Sequence, residues 1–266
     1  MKTKNRLSDG KKQIYYARTY RHLKVAPLPY ILFLMLLIVP AVVLLCLYYD
    51  ELTYAMSDAA AWVMQRAGFS VTDIKAGVFL PQLGPVHYLS MPTVLPGTVF
   101  VLVNLVVMLG LMWLLLTGKR KTGPISIYLL IAIFIHVMAC VFFLLGRELF
   151  PYTLTDFSDL YMKQQLGIWI TFLVMIGLVM GLVRGGILLR ILTVVGVMAY
   201  SLLFGFVRYV LFLAILSQFS VLYMPLMFFV LGPFFDFLYF VAIYAISTNR
   251  MIRMYDSKMK GDWSWA

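Results

Sequence analysis

An all-α polytopic membrane protein is the fold class this sequence predicts: six transmembrane helices with a short outer-face amphipathic helix and an extended, hairpin-like segment. Three observations predict it. Apolar stretches fall at 27–49, 98–117, 125–146, 166–183, 187–217 and 225–247, and each suffices to cross a hydrocarbon core of roughly 30 Å as a helix. The chain is 63% hydrophobic, more than a soluble core requires and what a lipid-facing surface demands. The third observation is the sidedness of positive charge.

Of the 22 Lys and Arg residues, 17 fall on one side of the six stretches. Lys2, Lys4, Arg6, Lys11, Lys12, Arg18, Arg21 and Lys24 precede the first. Lys119, Arg120 and Lys121 join the second and third, Arg184 and Arg190 sit at the next turn, and Arg250, Arg253, Lys258 and Lys260 follow the last. The opposite side carries Arg66, Lys75, Arg147 and Lys163 against seven acids, Asp50, Glu51, Asp58, Asp73, Glu148, Asp156 and Asp159. Positive charge is retained in the cytoplasm, so both termini are expected there, and the pattern fits a bacterial inner membrane. The net charge of +11 reads as this topology signal plus attraction to anionic headgroups, not as a nucleic-acid surface. The expected partners are the lipid bilayer and other membrane or envelope proteins.

Residues 1–26 form a basic arm in which Tyr15, Tyr16, Tyr20 and His22 interleave with the charges, suited to lying along headgroups or to meeting a partner. The arm and the full-length apolar run behind it lack a small-residue cleavage pattern and are expected to remain as an anchor. Residues 27–247 make the membrane domain and 248–266 a cytoplasmic tail. The outer-face insertion, 50–97, opens with Tyr54, Ala55, Ala59, Trp62, Val63 and Ala67 at helical spacing. That run is too short to span, so it predicts an interfacial helix ended by Gly68. Alternating and β-branched residues around Lys75, Ala76 and Gly77 then predict an extended pair, and Pro81, Pro85, Pro92 and Pro96 forbid a long helix. TGKRKTGP is a tight basic turn. The second outer loop carries Glu148, Asp156 and Asp159, spaced as a solvated rim. The short turn RGGILLR makes the fourth and fifth helices antiparallel neighbours. Gly232 and Pro233 are expected to break or kink the sixth.

Cys46 and Cys140 both lie inside apolar stretches, with no CxxC and no Cys/His framework, and predict buried thiols rather than a disulfide. No Walker loop, dinucleotide fingerprint, HExxH or GxSxG is present, and no cofactor or metal is predicted. The 17 Met residues are dispersed through the spans and read as packing.

The run AMSDAAAWVMQRAGFSVTDIKAGVFLPQL, the later GKRKTGPISIYLLIAIFIHVMACVFFLLGRELF and YMKQQLGIWITFLVMIG together resemble the exosortase/archaeosortase-type membrane domain, the presumed transpeptidases of bacterial surface-protein sorting. The resemblance covers residues 55–180. In that family a small-residue helix leads through a Gly turn and an extended segment to a catalytic Cys, and later helices supply an Arg and a His. Here the first of these places reads YLSMPTVLPG, with no Cys, and the last reads Met162, Lys163, Gln164, Gln165. The resemblance therefore implies the scaffold without the family's catalytic pair.

Two constellations could carry chemistry. His136, Cys140 and Arg147 are spaced by four and seven on the third stretch, on one helix face. A thiol beside an imidazole can form a thiolate nucleophile, and a guanidinium can hold an oxyanion; alternatively Cys140 is a small buried side chain. Arg208 lies roughly 13 Å inside the outer end of the fifth stretch at 1.5 Å per residue, and Asp236 lies near the middle of the sixth. Intramembrane charges cost roughly 2.5–3.5 kcal/mol each, so they face inward and pair. An Arg208–Asp236 ion pair is expected, either as a helix clamp or as a proton or substrate site. His87, in the Pro-rich loop, reads as a surface histidine. The leading expectation is a non-catalytic, exosortase-like integral membrane component of a surface-polymer or surface-protein export complex. The alternatives are a membrane cysteine transpeptidase using Cys140 and His136, and a small-molecule or ion transporter using Arg208 and Asp236.

Overall fold

The computed structural model describes residues 21–23, 27–81, 84–117, 123–183, 186–259 and 263–265. The rest of the basic arm, the basic turn at 118–122, Arg184 and Lys260 lie outside the described residues. The protein is a multi-pass membrane protein: six helices are long and apolar enough to cross a bilayer.

Strand β1 (Arg21–Leu23) precedes helix α1 (Pro27–Arg66), which is 40 residues long. At 1.5 Å per residue α1 is about 60 Å long, twice the apolar thickness of a bilayer. The amphipathic helix expected in the first half of the 50–97 insertion is the continuation of the first span, not a separate element. Asp50 and Glu51 mark where the chain turns polar. Nothing in 41–66 is Gly or Pro, so the backbone has no reason to stop until Gly68 takes φ +85°. The buried stripe of this extension is Tyr49, Thr53, Met56, Ser57, Ala60, Ala61 and Met64, a spacing of three and four that keeps one face inward.

Strands β2 (Asp73–Leu80) and β3 (Gly84–Ser90) form an antiparallel hairpin, with Asp73 opposite Ser90 and Gly77 opposite Val86. Val86 and Leu89 are fully buried. The second edge of β3 has no third strand; side chains take its place. Tyr49 Oη donates to Gly84 O at 2.6 Å, Thr53 Oγ1 accepts from His87 N–H at 3.1 Å, and Ser57 Oγ donates to His87 O at 3.0 Å. Tyr49, Thr53 and Ser57 are one helical turn apart, so a single face of α1 satisfies a strand edge that would otherwise be open.

Helix α2 (Thr98–Thr117) packs on α3 (Pro124–Leu149), and Val101 is its one buried residue. Its apolar surface all round is what a lipid-facing helix carries. Helix α4 (Leu154–Leu182) starts in a capping box: Thr153 Oγ1 accepts from Asp156 N–H, and Asp156 Oδ2 accepts from Thr153 N–H at 2.8 Å. Helix α5 (Ile187–Gln218) lies along α4. The last span, α6 (Val221–Met251), continues as helix to Met259, and strand β4 (Trp263–Trp265) pairs antiparallel with β1. The strands that flank the six spans therefore meet, on the face opposite the hairpin.

Two helical turns widen to π geometry, at Leu34–Ile38 and Leu226–Leu231. Each stands two residues before a proline, Pro40 and Pro233. A proline ring inside a helix clashes with the carbonyl four residues back; widening the turn relieves the clash without ending the helix. Around Gly232 and Pro233 the exposed carbonyls find side chains: Val230 O accepts from Tyr128 Oη at 3.0 Å and Gly232 O from Arg208 Nη1 at 2.7 Å. Two apolar clusters fill the bundle. One, under the hairpin, holds Leu89, Leu154, Phe157, Trp169 and Leu213; the other, toward the termini, holds Phe33, Ile38, Ile176, Met180 and Val197.

Candidate functional site: a buried polar column

Arg208 is 4% exposed and Asp236 2%. Arg208 Nη1 lies 2.8 Å from Asp236 Oδ2. Three further bonds complete the arrangement: Nε donates to Tyr161 Oη at 2.8 Å, Nη1 to Gly232 O at 2.7 Å, and Nη2 to Gln165 Oε1 at 2.7 Å. Four of the five guanidinium N–H donors are thus engaged. The ring faces of Tyr161, Phe204 and Phe212 lie 5.4, 5.7 and 6.0 Å from the guanidinium carbon, near enough for the ring quadrupoles to contribute. A desolvated charge pair holds only when its remaining donors are also met; here α4 and α6 supply the acceptors for an arginine carried by α5.

Gly205 makes the approach of α4 to α5 feasible. A Cβ there would stand 2.7 Å from Gln165 Nε2, so any larger residue would push Gln165 off the guanidinium. Tyr161 Oη in turn donates to Gly205 O at 3.0 Å.

Toward the hairpin the polar groups continue. Tyr161 and Tyr209 stack with centroids 5.2 Å apart. Tyr209 Oη is 2.6 Å from Ser158 Oγ and accepts from Leu89 N–H at 2.9 Å. From there β3 leads to Ser57 and Thr53, and His87 Nε2 meets Asp50 Oδ1 at 2.7 Å on the hairpin face. His87 is thus a packed partner of α1, not a free loop residue. Toward the termini, Tyr239 Oη donates to Ser201 Oγ at 2.7 Å. Trp169 Nε1, Gln165 Nε2 and Asp236 Oδ1 are buried without a hydrogen-bond partner among the described residues.

The chain matches no family model, no curated protein and no solved structure.

The other constellation is arranged differently. His136 and Cys140 are both fully buried. The His136 ring lies flat on Tyr223, centroids 5.0 Å apart and planes at 16°, and neither ring nitrogen has a hydrogen-bond partner. Arg147 is exposed at the hairpin-side end of α3, and no hydrogen bond joins the three. The stretch after β3 carries Met91, 4% exposed, its N–H on Thr155 Oγ1 at 3.4 Å. Residues 162–165 supply Lys163, paired with Asp159 at 2.6 Å, and Gln165 of the buried column. On the hairpin, burial lifts the Tyr88 phenol above its ordinary value, and the carboxylates of Asp159 and Asp156 add to the rise. Among the described residues no group of three or more His, Cys, Asp or Glu is placed to hold a metal ion.

Sequence reasoning singles out Arg208 and Asp236 but not their partners. Tyr161 and Gln165, four apart on one helix face near the end of the span, are the signal that could have found them. Tyr49, Thr53 and Ser57 offer a similar four-residue polar stripe.

Proposed function

We propose that this protein is a non-catalytic, multi-pass component of a bacterial inner-membrane assembly that handles surface polymers or surface proteins, on an exosortase-like scaffold. Its termini face the cytoplasm and its hairpin faces outward, as the distribution of Lys and Arg favours. One observation carries the reading: the polar groups of the interior are spent mainly on one another. Arg208 bonds Tyr161, Gln165, Gly232 and Asp236, which clamps three helices and offers no nucleophile. The chemically addressable surface is then the hairpin face, with Lys75, Val78, Asp50, His87, Asp156 and Asp159.

The test is site-specific photocrosslinking in native membranes, with the probe at Val78 on the hairpin or at Val106 on lipid-facing α2. A discrete protein adduct from Val78 that is absent from Val106 supports the reading. A monodisperse monomer with no adduct from Val78 overturns it.

A second reading is favoured by the unpartnered Asp236 Oδ1, Gln165 Nε2 and Trp169 Nε1: passage of a proton or small solute past the charge pair. Solute or proton flux in proteoliposomes that is unchanged by Asp236→Asn removes it.

A further inference from the structure

Between α3, the loop that follows it and the start of α6 lies a groove of about 490 Å³, within the size range of small-molecule sites. Its walls are Phe134, Met138 and Phe142 of α3, Phe150 and Tyr152 of the following loop, and Phe229 in the π turn of α6. Ala139 lies among them, 8% exposed, and its small side chain leaves the space open. Phe134, Met138, Phe142 and Phe229 are 58, 53, 41 and 66% exposed, so the groove opens sideways, toward the apolar phase. A cavity of this lining gives water no polar partners and stays dry or takes hydrocarbon.

A cation stands next to the groove in the chain, one helical turn after Phe143 and three residues before Phe150. Arg147 stands in the 3-10 turn Arg147–Leu149, between the lining residues of α3 and those of the loop. It is exposed, at the end of a span, and its guanidinium has no ion-pair or hydrogen-bond partner among the described residues. Its acidic neighbour Glu148 is the next residue of a 3-10 turn, about 120° around the axis, so one side of the turn presents the cation without it. An aromatic wall followed in the chain by an exposed arginine at the end of the span is the sequence of features an amphipathic ligand at headgroup level would meet.

We propose that this groove is a binding site for an anionic phospholipid, one acyl chain lying along the aromatic wall and the phosphate on Arg147. A guanidinium fits a phosphate in bidentate fashion, which a zwitterionic headgroup weakens by its own cation. The site is independent of the reading of the protein as an assembly component.

Full-length protein in mild detergent is offered phosphatidylglycerol or phosphatidylcholine with identical acyl chains, and retained lipid is read by native mass spectrometry. Wild type is expected to retain phosphatidylglycerol about fivefold more than phosphatidylcholine, the ratio one surface cation gives. Arg147→Gln brings that ratio to about one while the neutral lipid binds as before. Ala139→Trp, which fills the groove, abolishes retention of both. Met138→Trp, at the exposed rim where a large ring is free to turn, lowers both and serves if Ala139→Trp does not fold, as judged by size-exclusion profile. Equal retention of the two lipids by wild type overturns the proposal. So does a preference that survives Arg147→Gln, or retention that survives the folded tryptophan variants.

Discussion

Arg208 and Asp236 stand 28 residues apart in the chain and 2.8 Å apart in space, inside a bundle where neither side chain reaches solvent. A pair of this kind is worth little net against well-packed apolar residues, yet removing one partner strands the other. Asp236→Asn keeps a hydrogen-bond acceptor but leaves the guanidinium uncompensated, and should cost about 3–5 kcal/mol. Arg208→Met/Asp236→Leu should recover most of that loss. Equilibrium unfolding in mixed micelles measures both; a double variant no more stable than the singles would remove the clamp as the pair's role.

The stitching of β3 to side chains has a separate signature. Tyr209→Phe deletes the hydroxyl that accepts from the Leu89 N–H and should cost about 1–3 kcal/mol, the price of a stranded buried donor. Amide hydrogen exchange at Leu89 should rise while exchange in α2 stays unchanged.

Thr53→Val keeps the shape of Thr53 but not the acceptor for the His87 N–H. Combined with Ser57→Ala it should release the middle of β3, so that protection falls over residues 84–90 together. If only His87 responds, the hairpin is held by its apolar contacts and the helix-borne hydroxyls are incidental.

Cys140 should resist a membrane-permeant maleimide in the folded protein and react after unfolding in dodecyl sulfate, because the thiol is fully buried. Cys140→Ser should leave stability and any surface-processing phenotype unchanged. Loss of processing in a stable Cys140→Ser protein would restore the cysteine transpeptidase reading.

Orientation can be read with alkaline phosphatase fused after Arg147 or after Met259. Activity from the first and not the second is the expected result, since the Lys and Arg excess marks the retained side.

Some of this architecture is legible in the sequence and some is not, for identifiable reasons. The spans show because lipid demands unbroken apolar runs. Arg208 and Asp236 show because a charge in such a run has few explanations. The single helix from Pro27 to Arg66 is hidden by Asp50 and Glu51, which look like a boundary although no helix breaker lies near them. The role of His87 is hidden too. The residue lies between Pro85 and Pro92, and nothing local reveals that Asp50 waits 37 residues upstream. Tyr161 and Gln165 are ordinary polar residues near the end of a span, and only the approach of α5 through Gly205 makes them ligands of a guanidinium.

The pairing of Arg21–Leu23 with Trp263–Trp265 ties a segment made before the first span to one made after the last. A ribosome delivers Arg21–Leu23 long before Trp263–Trp265, so that clasp cannot close until all six spans have been made. A variant lacking residues 263–265 would insert all six spans and leave Arg21–Leu23 without its partner strand.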